Sequence, residues 1–186
     1  RRRGSEVGTG GRDDGGDPMQ AVPAAVTGIV SRLARRQREC EVQRAIEARM
    51  ADDPALNVCD PAFLRWIHAE FYRRMPPELA IVRNPEGSRE EPVIPGALRA
   101  FDVRVGYHVA PGWQGLDELL ARFADAYDPG RLLEEDETGA RALALLGAAH
   151  HRLLWIHPFG DGNGRVARLM TDAYLRRIGV GAHGLW

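Results

Sequence analysis

The chain has no lysine: all 25 of its basic residues are arginine. An all-arginine set reads first as the mark of a GC-rich genome, which points to a bacterial source. It matters chemically in one place, because a guanidinium grips phosphate oxygens through two parallel donors and an ammonium does not. Cysteine is almost missing. Cys40 and Cys59 stand in unrelated contexts without CxxC or Cys/His spacing. Neither a disulfide framework nor a zinc site is expected, and a reducing cytoplasm is the default compartment. No run approaches the roughly 20 apolar residues of a membrane span. The opening Arg1-Arg2-Arg3 lacks the apolar core of a secretory signal. The formal net charge of −1 gives no electrostatic footprint for nucleic acid or an anionic membrane, so neither partner is expected.

What remains is ordinary globular composition, 44% apolar and 27% charged over 186 residues, which suits one domain with a sizeable core. Residues 1–20 are mostly Gly, Asp and Arg with little to bury and are expected to be a disordered tail. Residues 21–58 read as an N-terminal helical segment and residues 59–186 as the main domain. The first methionine is Met19, so the chain is expected to be a fragment or a processed product.

Periodicity places the elements. Val26, Ile29, Val30, Leu33, Val42 and Ile46 recur near 3.6 residues and predict a helix over 25–51, with the charged stretch Arg35–Glu41 as a solvated face. Asp60-Pro61 is a helix start, with Asp as N-cap and Pro at the first position. Phe63, Ile67 and Phe71 carry that helix to about Arg74, with His68 on it as a structural histidine. Five prolines between Met75 and Pro95 predict a long loop. Alternation from Leu98 to Val109, with Gly106 inside, predicts a β-hairpin over about 97–110. Helices are expected at about 115–127, 137–156 and 164–178. The fold class is mainly α with one small β element.

The segment His157-Pro-Phe-Gly-Asp-Gly-Asn-Gly-Arg-Val-Ala-Arg168 joins the last two helices. Pro158 stops the first and leaves His157 at its end. Three glycines let the backbone turn and approach a ligand. The segment then opens a helix, whose free N–H groups favour a bound anion. Arg165 and Arg168, three apart, share a face and suit a polyphosphate. Asp161 is out of place in an anion site unless it holds a metal, and Mg²⁺ is the usual companion of phosphate oxygens. His157 accepts a proton near neutral pH. The convergence predicts phosphoryl or nucleotidyl transfer. It is not a P-loop, which needs GxxxxGK[ST].

At every fixed position this run resembles the Fic family signature HPFx[DE]GNGRxxR. Pro95-Gly-Ala-Leu-Arg99 followed by Val103-Arg-Val-Gly106 is similar to the segment that forms the family's β-hairpin flap, and Ala148–His157 to the helix before the motif. The resemblance implies the Fic fold, a helical core with a flap over the site. It implies transfer of AMP from ATP to a Tyr, Ser or Thr hydroxyl of a target protein docked on the flap, with release of pyrophosphate. His157 would then be the base and Asp161 the Mg²⁺ ligand. Gly162, Asn163 and Gly164 would form the anion hole, with Arg165 and Arg168 on the phosphates and Phe159 as a core anchor. Members that transfer phosphate alter the motif's glycines, which are intact here, so AMP transfer is favoured. The alternative is a Fic-fold nucleotide-binding or toxin–antitoxin module with weak, phosphotransferase or de-AMPylating activity. Many Fic proteins are restrained by a helix carrying [ST]xxxE[GN]. None of the seven Ser and Thr residues is followed four positions later by Glu. No inhibitory motif is expected within the chain, which leaves an antitoxin or other inhibitory partner to supply one. The domain is also expected to stop short of the family's usual C-terminal extent.

Overall fold

The computed structural model describes residues 24–83, 90–136 and 138–180. The expected tail at 1–20 and the C-terminal residues His183 and Trp186 lie outside them. In chain order the elements are α1 (Ala24–Asp52), α2 (Pro61–Arg73), β1 (Ile81–Arg83), β2 (Glu90–Pro92), β3 (Arg104–Val105), β4 (His108–Val109), α3 (Leu116–Tyr127), α4 (Pro129–Glu135), α5 (Ala140–Ile156) and α6 (Asn163–Arg177). The fold is mainly helical, as expected. Among the described residues, no helix is long and apolar enough to cross a membrane.

α5 and α6 form the central pair, with α3 laid on α5 and both α1 and α2 laid on α6. The α2 start behaves as its sequence dictates: Asp60 caps it by accepting from the Ala62 amide at 2.7 Å, and Pro61 occupies the first turn. Phe63, Leu64, Ile67 and Phe71 then reach full burial on one face, each side chain stabilising by about 1.5–3 kcal/mol relative to exposure. Val166, Leu169, Met170 and Ala173 of α6 face the same core.

Three expectations are corrected. The region 75–95 is not one loop. Val82 pairs with Glu91 across an antiparallel ribbon of β1 and β2, with Pro76 and Pro77 opening the short turn before β1 and Pro92 ending β2. The 97–110 hairpin shrinks to the pairs Arg104–Val109 and Val105–His108, with Gly106 at φ +60° in the turn. The helix expected at about 137–156 is α5, and an additional short helix, α4, precedes it, started by Asp128-Pro129 with the same signature as Asp60-Pro61. In α1 Val42 and Ile46 of the expected apolar stripe are buried, while Ile29, Val30 and Leu33 are exposed.

Candidate active site

The α5–α6 connection makes a sharp reversal. His157 closes α5 in the left-handed region (φ 51°, ψ 59°), and among the described residues it is the only non-glycine there. Such a backbone costs on the order of 1–3 kcal/mol and persists only where its surroundings over-determine it. Phe159 is fully buried and stacks on the His68 ring at 4.2 Å between centroids. The Asn163 side chain closes the turn from within, accepting from the Phe159 amide at 2.9 Å and donating to the Phe159 carbonyl at 2.8 Å. That side chain is therefore spent on shaping the loop, and only the Asn163 backbone is left to meet a ligand.

His157, Asp161, Gly162, Asn163, Gly164, Arg165 and Arg168 line one cavity of about 250 Å³, together with Gly160. The first turn of α6 opens into it. That turn has no side-chain cap and no acidic residue, so its unsatisfied N–H groups and positive dipole end are offered to an anion. Gly162 caps it at φ +80°. A Cβ there would come within 2.9 Å of the Tyr72 ring and hydroxyl, so this position requires glycine twice over, for conformation and for space.

The electrostatics suit proton abstraction beside bound phosphate. Burial lowers the His157 pKa. The Leu154 carbonyl opposes this, Arg99 and His108 add to it, and Asp161 opposes. The imidazole is thus neutral at pH 7. Its Nδ1 faces the Leu154 carbonyl at 3.3 Å, which can only accept, so the proton sits on Nδ1 and Nε2 keeps its lone pair. Burial would raise the Asp161 pKa, but the Tyr72 hydroxyl and the Arg165 charge outweigh it, and the carboxyl is held below its ordinary range. Asp161 is ionised and partly exposed, with Arg165 at 3.3 Å.

Three residues of the site escaped the sequence reading. Tyr72 donates its hydroxyl to Asp161 and accepts from Arg165 at 2.9 Å, bridging the two charged groups. His68 is structural, as expected, yet it braces the motif loop. Its Nδ1 accepts from the Gly96 amide at 2.9 Å, so its Nε2 donates to the Asp161 carbonyl at 3.2 Å. Burial drops its pKa to about 4, which keeps that donor–acceptor arrangement fixed. Both residues are spaced like core residues of α2, and only their partners reveal them.

The third is Glu39. Its carboxylate receives the Arg168 guanidinium at 2.9 Å and stands 3.9 Å from Arg165. The helix carrying it is α1, in the stretch read as a solvated face. Arg35 and Cys40 stand where the family pattern has Ser/Thr and Gly/Asn, so Glu39 is not flanked by that pattern in the sequence. The other histidines and the tyrosine near the motif and the flap lie outside the cavity lining. His150 bonds the Thr171 hydroxyl at 2.8 Å and His151 is exposed. His108 donates to the Trp155 carbonyl at 3.0 Å, while Tyr107 is fully exposed at the flap tip.

The Fic/DOC family model matches residues 58–175, which spans the flap, Tyr72, His68 and the motif loop but not Glu39 on α1. A protein adenylyltransferase Fic of Culex quinquefasciatus is 30% identical over 83% of this chain and 31% of its own length. One of Nematostella vectensis is 36% identical over 47% of this chain and 19% of its own. The chain thus spans less than a third of these relatives. The crystal structure of a Fic domain-containing signaling protein from Bacteroides thetaiotaomicron superposes with a TM-score of 0.53 at 18% identity, covering 86% of this chain and 52% of that one. It shares the fold. The chain belongs to the Fic/DOC family.

Proposed function

We propose that the chain is a protein adenylyltransferase that moves AMP from ATP to a Tyr, Ser or Thr hydroxyl of another protein. The observation that carries this is the single cavity in which a neutral, Nδ1-protonated His157 faces an uncapped helix N-terminus flanked by Arg165 and Arg168. The name borne by relatives at about 30% identity, protein adenylyltransferase Fic, agrees with it.

The α6 N-terminus and the Gly162–Gly164 backbone cradle the phosphates, Arg165 contacts their oxygens and Arg168 holds the γ-phosphate. His157 Nε2 takes the hydroxyl proton as the oxygen attacks the α-phosphorus. The bond to the bridging oxygen of the β-phosphate breaks, and pyrophosphate leaves with the charge spread over the arginines. Asp161 is the residue that would hold Mg²⁺. Among the described residues no group of three or more His, Cys, Asp or Glu gathers as a metal site, so the ion would rest on one carboxylate and the phosphate oxygens, its usual habit. When bound it supplies neutralisation of phosphate charge. The target lies along the flap at about residues 97–110, whose exposed Val105, Tyr107 and Val109 offer an apolar strip beside an unpaired backbone edge.

Glu39 restrains the reaction. Its carboxylate holds the guanidinium assigned to the γ-phosphate, so inhibition acts in cis and does not require an antitoxin or other partner. Incubation with labelled ATP, Mg²⁺ and cell lysate tests the whole reading. Protein should acquire the label with Glu39→Ala and lose it with Glu39→Ala/His157→Ala; labelling that survives loss of His157 refutes it.

A further inference from the structure

Arg99, at the root of the flap, is an enclosed charge outside the motif. Its side chain is 0% exposed, and Asp102, the carboxylate facing it, is 3.9 Å away and itself largely in solvent. Carbonyl oxygens take the place of a counterion. Nε donates to the His157 carbonyl at 2.7 Å, Nη1 to Phe101 at 2.7 Å, and Nη2 to Pro111 at 2.5 Å with Ile156 at 3.4 Å. The Arg99 amide adds a bond to the Pro158 carbonyl at 2.9 Å.

These acceptors come from three separate pieces of chain. Ile156 and His157 end α5, where the helix dipole presents its negative end and favours a cation. Phe101 lies on the segment that enters the flap and Pro111 on the segment that leaves it. Burying a guanidinium to fill space is costly and a well-packed apolar side chain would serve as well. A planar fork with five donors is needed only if several carbonyls in different directions must be held at once.

We propose that Arg99 is a positioning residue that locks both legs of the flap to the His157 backbone, so that a hydroxyl carried along the flap arrives in register with the His157 imidazole and is preferred over water. This rests on the adenylyltransferase reading. Water needs no docking on the flap, so a loosened flap penalises transfer to protein and spares hydrolysis of ATP to AMP. A misplacement of about 1 Å in such a step costs up to about a hundredfold.

The test compares Arg99→Lys and Arg99→Met in the Glu39→Ala protein, with α-labelled ATP, Mg²⁺ and lysate protein as acceptor. The readout is AMP on protein divided by free AMP, with nucleotide-binding stoichiometry measured alongside. The ratio should fall at least about tenfold in both variants, with nucleotide bound at the parent stoichiometry. Lysine should not rescue, since its point charge cannot span the carbonyls. A ratio that stays constant, whether or not both products decline together, overturns the proposal and leaves Arg99 a folding residue. If the parent forms neither product, the adenylyltransferase reading is what has failed. Amide exchange then judges the lock alone. Arg99→Lys should raise exchange in residues 99–111 and 154–158 together. A rise confined to one of the two segments, or spread over the whole chain, overturns it.

Discussion

Replacing Glu39 by alanine should raise AMP transfer, and the structure sets the size of the gain. The carboxylate makes a charge-assisted bond to Arg168, with side-chain exposures of 27% and 39%. A hydrogen bond to a charged group contributes about 1.5–3 kcal/mol when well buried, and an exposed ion pair roughly 0–1 kcal/mol. This half-exposed pair lies between, at roughly 1–1.5 kcal/mol. ATP must displace it to engage Arg168, so its removal should speed transfer at subsaturating ATP by about tenfold, since 1.4 kcal/mol is a factor of ten. Alanine is the better helix former, and the lost ion pair costs little, so the melting temperature should move by only a few degrees. Initial rates of α-labelled AMP incorporation measure the gain. The gain must also vanish when Arg168 is alanine as well, because the glutamate acts through that guanidinium. Equal rates for parent and Glu39→Ala, or a gain that persists without Arg168, would refute the reasoning.

Gly162→Ala should cut transfer by at least about tenfold and cost about 1–3 kcal/mol, because the new methyl meets the Tyr72 ring at 2.9 Å at a backbone angle of +80°; urea unfolding and label incorporation check the two effects. Tyr72→Phe removes the hydroxyl that holds Asp161, so the Mg²⁺ concentration for half-maximal rate should rise several-fold while the fold persists, which a Mg²⁺ titration reads. The acid limb of the pH–rate profile should fall below pH 6.5, because burial lowers the His157 pKa and the base stays deprotonated; a limb above 6.5 contradicts that assignment. His68 makes the folded state resist a proton that the unfolded chain accepts. Its pKa is about 4 in the fold against 6.5 unfolded, so stability is full above pH 6.5 and is lost as pH falls towards 4. The shift corresponds to about 3 kcal/mol, and His68→Gln should flatten that segment of the stability–pH curve.

The sequence was most legible where one local rule decided the structure. Asp60-Pro61, Pro158 and the α6 stripe each follow from neighbours within a turn, and the cavity residues sit together because they are consecutive around one loop. The same locality hid the rest. Glu39 and Arg168 are 129 positions apart, so only packing of α1 on α6 joins them. Tyr72 and Asp161 are separated by 89 positions and meet only because α2 crosses the motif loop. The strands β1 and β2 are equally hidden: they hold three residues each, too few for a period to emerge. The expected flap hairpin is longer than the observed one because alternation persists in residues 98–102, where the Phe101 carbonyl accepts from the Arg99 side chain and cross-strand pairing begins only with the bond from the Ala110 amide to the Val103 carbonyl.

The central claim, that this cavity transfers AMP, is tested most directly by following two labels in one reaction. The Glu39→Ala protein is given Mg²⁺, lysate protein and ATP labelled either at the α- or at the γ-phosphate. Protein should become labelled from the α-position alone, with labelled pyrophosphate released from the γ-labelled ATP, and both signals should disappear with His157→Ala. Protein labelled from the γ-position, or from neither while nucleotide is bound, would contradict the account.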